Sequence, residues 1–213
     1  MLWLSVDPAA PDADSIRAAA ACIAAGGVVA YPTDTLYGLG ADPYNAEAVR
    51  QVFAIKGRPE DKPLPLIAGS LAAAEAAGRL TPLARRLAAS FWPGPLTIVV
   101  PANPRLASDV HRGTGLIGIR VPDHPVARAL ALAAGGVLTA TSANRSGEDP
   151  SDDPGQVALL EPYGVSALLD AGRSPGGRPS TVVEASGAAP LLVREGAVPW
   201  ERVLESLRVD RAD

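Results

Sequence analysis

The sequence predicts an α/β fold in a single domain spanning 1–213, with a core at about 12–207 built on one mixed, twisted β-sheet flanked by helices. Segments with helical apolar spacing alternate along the chain with short apolar runs of strand length. Near the C-terminus these short runs follow one another at hairpin spacing, which argues against a purely parallel sheet. No linker-like segment divides the chain, so we expect one domain.

Composition narrows the class of protein. The chain has 213 residues, of which 47% are apolar and only 4% aromatic, so its core is expected to consist mainly of Ala, Leu, Val and Ile. A formal net charge of −4 argues against a generally basic surface for nucleic acid, although a local basic cleft stays compatible. The single cysteine, Cys22, fits a reducing compartment. No signal-peptide pattern and no apolar run of membrane-spanning length are found, so we expect a cytoplasmic protein with no membrane partner.

The first elements follow from capping residues and apolar spacing. LWLSV at 2–6 is predicted as a strand, and Asp12 or Asp14 can accept the first amide hydrogens of a helix that runs to Ala25. A Gly-Gly pair ends this helix, and VVAYP at 28–32 begins a buried strand.

The middle of the chain repeats this alternation. Asn45 is predicted to cap a second helix, and LPLIA at 64–68 is predicted as a strand. Thr81 as cap and Pro82 as first helical residue start another helix, which runs to about Ser90.

The rest of the chain contains further strand-like runs separated by helical segments. Strands are predicted at 96–100, 116–121, 136–141, 166–170, 180–184 and 191–195. Helices are predicted after Asp123, near 153–160 and from Trp200 to Leu207.

Familiar cofactor and metal motifs are absent or misplaced. GTGLIG at 113–118 spells a dinucleotide fingerprint, but it precedes a strand, whereas the fingerprint follows a strand and opens a helix; we predict a loop. His111 and His124 lack the neighbours that a metal site requires.

Four segments place polar residues at the end of an apolar strand or helix. They are PTDTLYGL at 32–39, KGRPEDKPLPL at 56–66, TATSANRSG at 139–147, and GRPSTVVE with LLVREG near the C-terminus. Lys56, Arg58 and Lys62 crowd just after a helix in the second segment, and we expect Lys56 and Arg58 to lie in a Gly- and Pro-rich loop outside the core. Taken alone, the second segment is equally compatible with a solvated helix end, and the third with an Asx- or Ser-type turn.

Together these segments supply cations, hydroxyls, an amide and loosely restrained backbone N–H groups. They contain no histidine–nucleophile pair, so covalent catalysis of the triad type is not favoured. The inventory suits binding of a polyanion such as a nucleotide and orientation of a small polar molecule.

Taken in order, these segments resemble the YrdC/Sua5 family, the L-threonylcarbamoyladenylate synthases, from about Gly26 to Gly196. The matching motifs are YPTDTLYGLG (31–40), KGRP (56–59) with KPLPLI (62–67), WPGPLTIVV (92–100), IGIRVPDHP (117–125), TSANRSGEDPS (141–151), and STVVE (180–184) with LLVREG (191–196). Longer members carry a further C-terminal domain, so this chain resembles the short, single-domain form.

The resemblance implies a nucleotidyltransferase that condenses L-threonine, bicarbonate or carbon dioxide, and ATP into threonylcarbamoyl-AMP and pyrophosphate. Its product would supply the t6A modification of tRNA, with partner proteins performing the final transfer. It also implies a YrdC-like fold with a concave, positively charged face, and Mg²⁺ bound with the ATP. Any direct contact with tRNA or other RNA is expected to be weak.

Carried over residue by residue, the resemblance implies a set of site positions, and it leaves the metal ligands unknown. Catalytic roles fall on Lys56, Arg58, Ser142 and Asn144. Contacts to L-threonine fall on Thr35, Ile67, Arg120, Ala140 and Ser180. Contacts to the nucleotide fall on Arg58, Lys62, Leu116, Ser142, Pro150 and Arg194.

Two of these positions depart from the family pattern. Ile67 stands where some members have histidine, and Leu116 where some have threonine. If the family uses side chains there, substrate positioning differs in this chain. Arg120 can hold a threonine carboxylate through two parallel hydrogen bonds, with Thr35 bonding the amino acid and nearby glycines allowing its close approach.

Two other functions compete with this interpretation. A concave face of this kind could bind RNA without catalysis, but the acidic composition and the few aromatic residues argue against it. Related domains also act in hydrogenase maturation with carbamoyl phosphate, within long chains that carry zinc-finger and acylphosphatase segments. Neither segment is found in this sequence.

Overall fold

A computed structural model describes residues 1–57 and 63–208 of the chain. Its strands are β1 (Leu2–Ser5), β2 (Val28–Tyr31), β3 (Gly38–Gly40), β4 (Leu66–Ala68), β5 (Leu96–Pro101), β6 (Leu116–Arg120), β7 (Val137–Thr139), β8 (Thr141–Ser142), β9 (Val165–Asp170), β10 (Thr181–Glu184) and β11 (Leu191–Arg194). Its helices are α1 (Ala13–Ala24), α2 (Ala46–Lys56), α3 (Leu71–Ala77), α4 (Pro82–Phe91), α5 (Ser108–His111), α6 (Pro125–Ala133), α7 (Pro154–Val157), a 3-10 helix (Ala158–Tyr163) and α8 (Trp200–Ser206).

The helix starts follow the capping residues that the sequence predicts. Asp12, Asn45 and Thr81 each accept a hydrogen bond from a backbone N–H in the first turn of α1, α2 and α4 respectively. Such a side-chain bond satisfies one of the amides that the start of a helix leaves without an intrahelical partner. The first half of GTGLIG is a turn, with Gly113 and Gly115 at positive φ, whereas its second half belongs to β6, so the predicted loop covers only the part before the strand.

The strands form two mixed sheets, so the prediction of one sheet was wrong. A five-stranded sheet has the order β1-β9-β2-β3-β8, and a six-stranded sheet has the order β11-β10-β5-β6-β4-β7. Both contain parallel and antiparallel pairs, in agreement with the mixed sheet expected from the spacing of the strands.

The two sheets are joined by the run at 136–141, which the sequence predicts as one strand. Its first part, β7, pairs with β4 in the six-stranded sheet, whereas β8 pairs with β3 in the five-stranded sheet. Between them, the Ala140 amide donates to the Pro65 carbonyl at 2.7 Å. The chain therefore changes sheets at Ala140, within a segment that the sequence analysis assigns to the binding site.

Short elements account for the other differences. β3 lies inside the YPTDTLYGLG stretch, where no strand was predicted after 28–32. The Tyr31 ring packs against this strand, and a Cβ added at Gly40 would lie 2.8 Å from the Cε1 atom of Tyr31. Two short helices, α3 and α5, were also not predicted, since neither is long enough to show a helical apolar period.

Small aliphatic residues form most of the buried core, as the composition predicts. Tyr31 and Tyr37 are fully buried, and both hydroxyls bond to backbone carbonyls. Burial raises the pKa of Tyr31 well above its ordinary value, although nearby Arg120 opposes this, and burial raises the pKa of Tyr37 to about 12. Both therefore stay protonated donors at neutral pH. In the part of the chain that the structure describes, no helix combines the length and the apolar character needed to cross a bilayer.

Candidate active site

A cavity of about 830 Å³ is lined by residues of both sheets. Tyr31, Gly38 and Ser142 contribute from the five-stranded sheet, while β5, β6, β10 and β11 contribute from the six-stranded sheet. This volume lies in the usual range for small-molecule sites.

Alternation along the strands produces one wall of the cavity. On β5, β6 and β10 of the six-stranded sheet, the lining residues are Thr97, Val99, Leu116, Gly118, Arg120, Val182 and Glu184. The residues between them on these strands, such as Ile98, Ile119 and Val183, are buried in the core. Because successive side chains in a strand point to opposite faces, the same strands supply both a core face and a binding face.

Most of the predicted site residues meet at this cavity. Its lining includes Thr35, Ile67, Leu116, Arg120, Ala140, Ser142, Pro150, Ser180 and Arg194. Lys56 and Asn144 do not line it, but both contact Ser142. Arg58 and Lys62 lie outside the described residues.

The Arg120 side chain is held in place by three neighbouring residues of the protein. Its Nε donates to the Gly94 carbonyl at 3.0 Å, its Nη1 lies 3.5 Å from the Thr35 hydroxyl, and its Nη2 forms a salt bridge with Asp34. Arg120 is only 8% exposed, so its rotamer is fixed by packing as well as by these bonds. A guanidinium has five N–H groups, and three bonds leave two for a carboxylate.

The Thr35 hydroxyl is held from both sides. Besides its contact with Arg120, it lies 3.1 Å from the Thr33 hydroxyl, which itself donates to the Leu36 carbonyl at 2.7 Å. The Thr35 carbonyl accepts from the Gly176 amide at 2.8 Å. These hydrogen bonds fix the Thr33–Leu36 segment as a polar wall of the cavity.

Lys56 organises a second polar cluster. Its Nζ donates to the Ser142 carbonyl at 2.8 Å and to Asn144 Oδ1 at 2.7 Å, and it lies 3.3 Å from the Ser142 hydroxyl. The Ser142 hydroxyl in turn donates to Asn144. The cluster ties the end of α2 to the segment that follows β8.

The expectation that Lys56 lies in a loop outside the core was wrong. It is the last residue of α2 and is only 4% exposed. Val49 and Val52 precede it at helical spacing on the buried face, so Lys56 continues that stripe and carries its ammonium group inward. The helix ends at Gly57, whose positive φ of 58° suits glycine.

Ser180 and Arg194 close another side of the cavity. The Ser180 hydroxyl lies 2.9 Å from the Thr97 hydroxyl, and Arg194 Nη2 donates to the Ser180 carbonyl at 2.8 Å. Arg194 is exposed and lines the cavity from β11, and partial desolvation lowers the pKa of its guanidinium.

A protein-family model described as telomere recombination, for the Sua5, YciO and YrdC proteins, matches residues 21–196. This chain belongs to the Sua5/YciO/YrdC family. It is 43% identical over 157 residues to a threonylcarbamoyl-AMP synthase of Halorhodospira halophila, covering 72% of this chain and 81% of that protein. It is 36% identical over 190 residues to the threonylcarbamoyl-AMP synthase of Bacillus subtilis, covering 88% of this chain and 55% of that protein.

Among solved structures, Pyrococcus abyssi Sua5 complexed with L-threonine has a TM-score of 0.91 and 33% identity to this chain. The comparison covers 97% of this chain and 61% of the Sua5 chain. The chain thus spans about three-fifths of that Sua5 and just over half of the Bacillus relative.

The two departures from the family pattern both fall on the cavity lining. Ile67 is 2% exposed and is the Cα partner of Arg120 between β4 and β6, so its side chain can offer only apolar contact at this point. Leu116 lines the cavity from the start of β6. Thr114, two residues earlier, also lines the cavity and brings a hydroxyl close to the position where other members have threonine.

Sequence reasoning missed several residues that line or support this cavity. They are Tyr31, Thr33, Asp34, Thr97, Thr114 and Glu184. Thr33 and Asp34 adjoin Thr35 in the polar segment, and the alternation of β5 and β10 could have selected Thr97 and Glu184 as neighbours of Ser180.

The charge of the site is mixed in the described part of the chain. Among the described residues, the side chains that line the cavity and carry a charge at neutral pH are those of Arg120, Arg194 and Glu184, and Asp34 pairs with Arg120. The positively charged face therefore stays a prediction, since Arg58 and Lys62 belong to the undescribed segment. The described residues contain no group of three or more His, Cys, Asp or Glu able to hold a metal ion.

Proposed function

We propose that this chain is a threonylcarbamoyl-AMP synthase that joins L-threonine, bicarbonate and ATP. The observation that carries the proposal is the convergence on one cavity of an anchored arginine, Arg120, and the Lys56-supported Ser142. The names of its relatives in Halorhodospira and Bacillus support the same activity.

The chemistry requires two anions to approach each other. The threonine amine and bicarbonate form an N-carboxylate and release water. An oxygen of that carboxylate attacks the α-phosphorus of ATP, forming a P–O bond while the bond to pyrophosphate breaks. Because negative charge spreads over the transition state, preorganised cations and hydrogen-bond donors are what the site must supply.

The Arg120 side of the cavity suits the amino acid. The two remaining guanidinium N–H groups can hold the α-carboxylate, and the Thr35 and Ser180 hydroxyls can bond the polar groups of threonine. The backbone at Ala140 and the apolar side chain of Ile67 complete this end. That Pyrococcus Sua5 has been solved with L-threonine supports the assignment.

The Ser142 side suits the nucleotide. Ser142, Pro150, Leu116 and Arg194 line the cavity, and Lys56 stabilises the Ser142 segment from behind. Arg58 and Lys62 are proposed to reach the phosphates. In this proposal Mg²⁺ arrives on the triphosphate and is held by phosphate oxygens and water, as is usual for this ion, since no described carboxylate cluster offers a protein cage.

The product is proposed to pass to partner proteins that transfer the threonylcarbamoyl group to tRNA. Action in the cytoplasm follows from this role. Direct binding of RNA by this chain is expected to be weak and sensitive to salt, because its formal net charge is −4.

A reconstitution with the purified chain tests the proposal. L-threonine, ¹³C-bicarbonate and Mg-ATP should yield threonylcarbamoyl-AMP carrying one heavy carbon, with one pyrophosphate released for each product molecule. Omitting threonine or bicarbonate should abolish pyrophosphate release. Pyrophosphate release without threonine, or a complete mixture that forms no adduct, would contradict the proposal.

A further inference from the structure

Glu184 is a carboxylate on the wall of a cavity proposed to bind a triphosphate. It is the last residue of β10 and shares a face with Val182, which also lines the cavity. Near a polyanion a carboxylate raises the energy of binding unless it accepts hydrogen bonds from the ligand. A ligand that binds beside Glu184 is therefore expected to donate a hydrogen bond to its carboxylate.

The Glu184 carboxylate can accept further hydrogen bonds. Its Oε1 accepts from the Ser186 hydroxyl at 2.6 Å, and no salt bridge joins it to a cation within the residues that the structure describes. A carboxylate has about four lone-pair positions, so one donor leaves most of them available.

The strand register separates Glu184 from the anion-binding groups. Glu184 pairs with Val99, whereas Val182, one step back on the same face, pairs with Thr97. Arg194 is the Cα partner of Val182 and extends to the Ser180 carbonyl, away from Glu184 along β10. Ser142 belongs to the other sheet. Glu184 thus lies toward the end of the cavity where Val99, Leu116 and Gly118 form an apolar floor.

We propose that Glu184 binds the nucleoside part of the nucleotide substrate by accepting hydrogen bonds from its neutral donors. The apolar floor beside it suits a flat base, and the carboxylate suits either the ribose hydroxyls or the exocyclic amine of the adenine. This inference rests on the proposed function for the identity of the ligand. It assigns Glu184 to nucleotide selectivity and not to the chemical step.

Nucleotide titrations by calorimetry test the assignment, using Glu184→Gln, Glu184→Ala and the wild type. The probes are ATP, 2′-deoxy-ATP, 3′-deoxy-ATP and inosine triphosphate, each with Mg²⁺. We expect both variants to bind ATP roughly ten- to a hundredfold more weakly, the range for losing a hydrogen bond to a charged group. Glu205→Gln is the matched control, because Glu205 is an exposed carboxylate of α8 away from the cavity.

The analogues distinguish the two sources of the donor. If a ribose hydroxyl bonds Glu184, the corresponding deoxy nucleotide binds the wild type more weakly, while the Glu184 variants bind it as they bind ATP. If the amine is the donor, inosine triphosphate gives this pattern instead. The inference would be overturned if, for every analogue, its loss of affinity added to the loss caused by the Glu184 substitution. It would also be overturned if Glu184→Ala bound ATP as tightly as the wild type does.

Two further measurements separate this inference from the proposed function. Melting temperatures of the free proteins confirm that the variants are folded, and the threonine Michaelis constant of each variant should stay within about twofold of the wild type. A wild-type chain that binds ATP but forms no adduct would refute the proposed function and leave the role of Glu184 testable by binding alone. Normal adduct formation with unchanged ATP affinity in both variants would refute only the role of Glu184.

Discussion

Arg120 and Lys56 are both nearly buried cations that donate hydrogen bonds to neighbouring residues, yet they are placed differently relative to the cavity. Arg120 lines it directly and is held by a carbonyl, a hydroxyl and the Asp34 carboxylate. Lys56 lies behind the wall and bonds to Ser142 and Asn144. We call these the arginine region and the lysine region.

The difference lies in what each cation leaves for a ligand. In the arginine region, Asp34 offsets the positive charge, while the planar guanidinium keeps two N–H groups at a fixed angle. That arrangement recognises the shape of a carboxylate. In the lysine region, the cation sets the position of the Ser142 segment, so its influence on a ligand passes largely through Ser142. Substitutions in the two regions should therefore affect different steps.

The largest effect is expected from Lys56→Ala. The substitution removes the Lys56 donor from the partly buried Ser142 carbonyl and Asn144 Oδ1, and it removes a preorganised positive charge. We expect turnover to fall about 100- to 1000-fold and the free energy of unfolding to fall by roughly 1–3 kcal/mol.

Single-turnover adduct formation and thermal melting measure the two effects separately. Lys56→Met keeps much of the buried stem and serves as the control for packing. Adduct formation by either variant at the wild-type rate would show that the lysine region is only structural.

A second prediction concerns Arg120→Lys in the arginine region. Lysine keeps the charge but cannot donate to Gly94, Thr35 and Asp34 while also presenting two parallel N–H groups. We expect the threonine Michaelis constant to rise roughly tenfold or more and ATP affinity to change little. A threonine constant equal to that of the wild type would assign Arg120 a structural role.

A third prediction concerns Asp34→Asn, which keeps the Arg120 side chain and removes only its charged partner. Arg120 should lose its fixed orientation, so we expect the threonine Michaelis constant to rise several-fold while turnover at saturating threonine stays near normal. Asp109→Asn is the matched control, since Asp109 pairs with Arg112 away from the cavity. Equal changes in the threonine and ATP constants would argue that Asp34 supports only the fold.

Sequence alone predicted the arginine region better than the lysine region. The resemblance to the family implied that Thr35 and Arg120 share one site, and both line the same cavity. Lys56 is buried because it continues the buried face of α2, whereas the KGRP motif was predicted to form a loop. The two-sheet arrangement was missed because the break at Ala140 comes from the pairing of β7 and β8 with different strands, which local spacing cannot encode.

The smallest effect on activity is expected from Gly40→Ala in β3, the strand that joins the two regions. The glycines of YPTDTLYGLG are predicted to allow close approach of a ligand. Gly38 does line the cavity, but Gly40 does not, and a Cβ there would lie 2.8 Å from the Tyr31 ring. A crowded core of this kind typically costs about 1–3 kcal/mol of stability.

We therefore expect Gly40→Ala to lower the melting temperature while both Michaelis constants stay unchanged below it. Gly187→Ala is the matched control, since a Cβ at Gly187 would meet nothing within 4 Å. If Gly40→Ala instead melts normally and loses affinity for threonine or ATP, the strand approaches the ligand at Gly40. The arginine and lysine regions would then share a direct contact with substrate through β3, and the distinction between them would weaken.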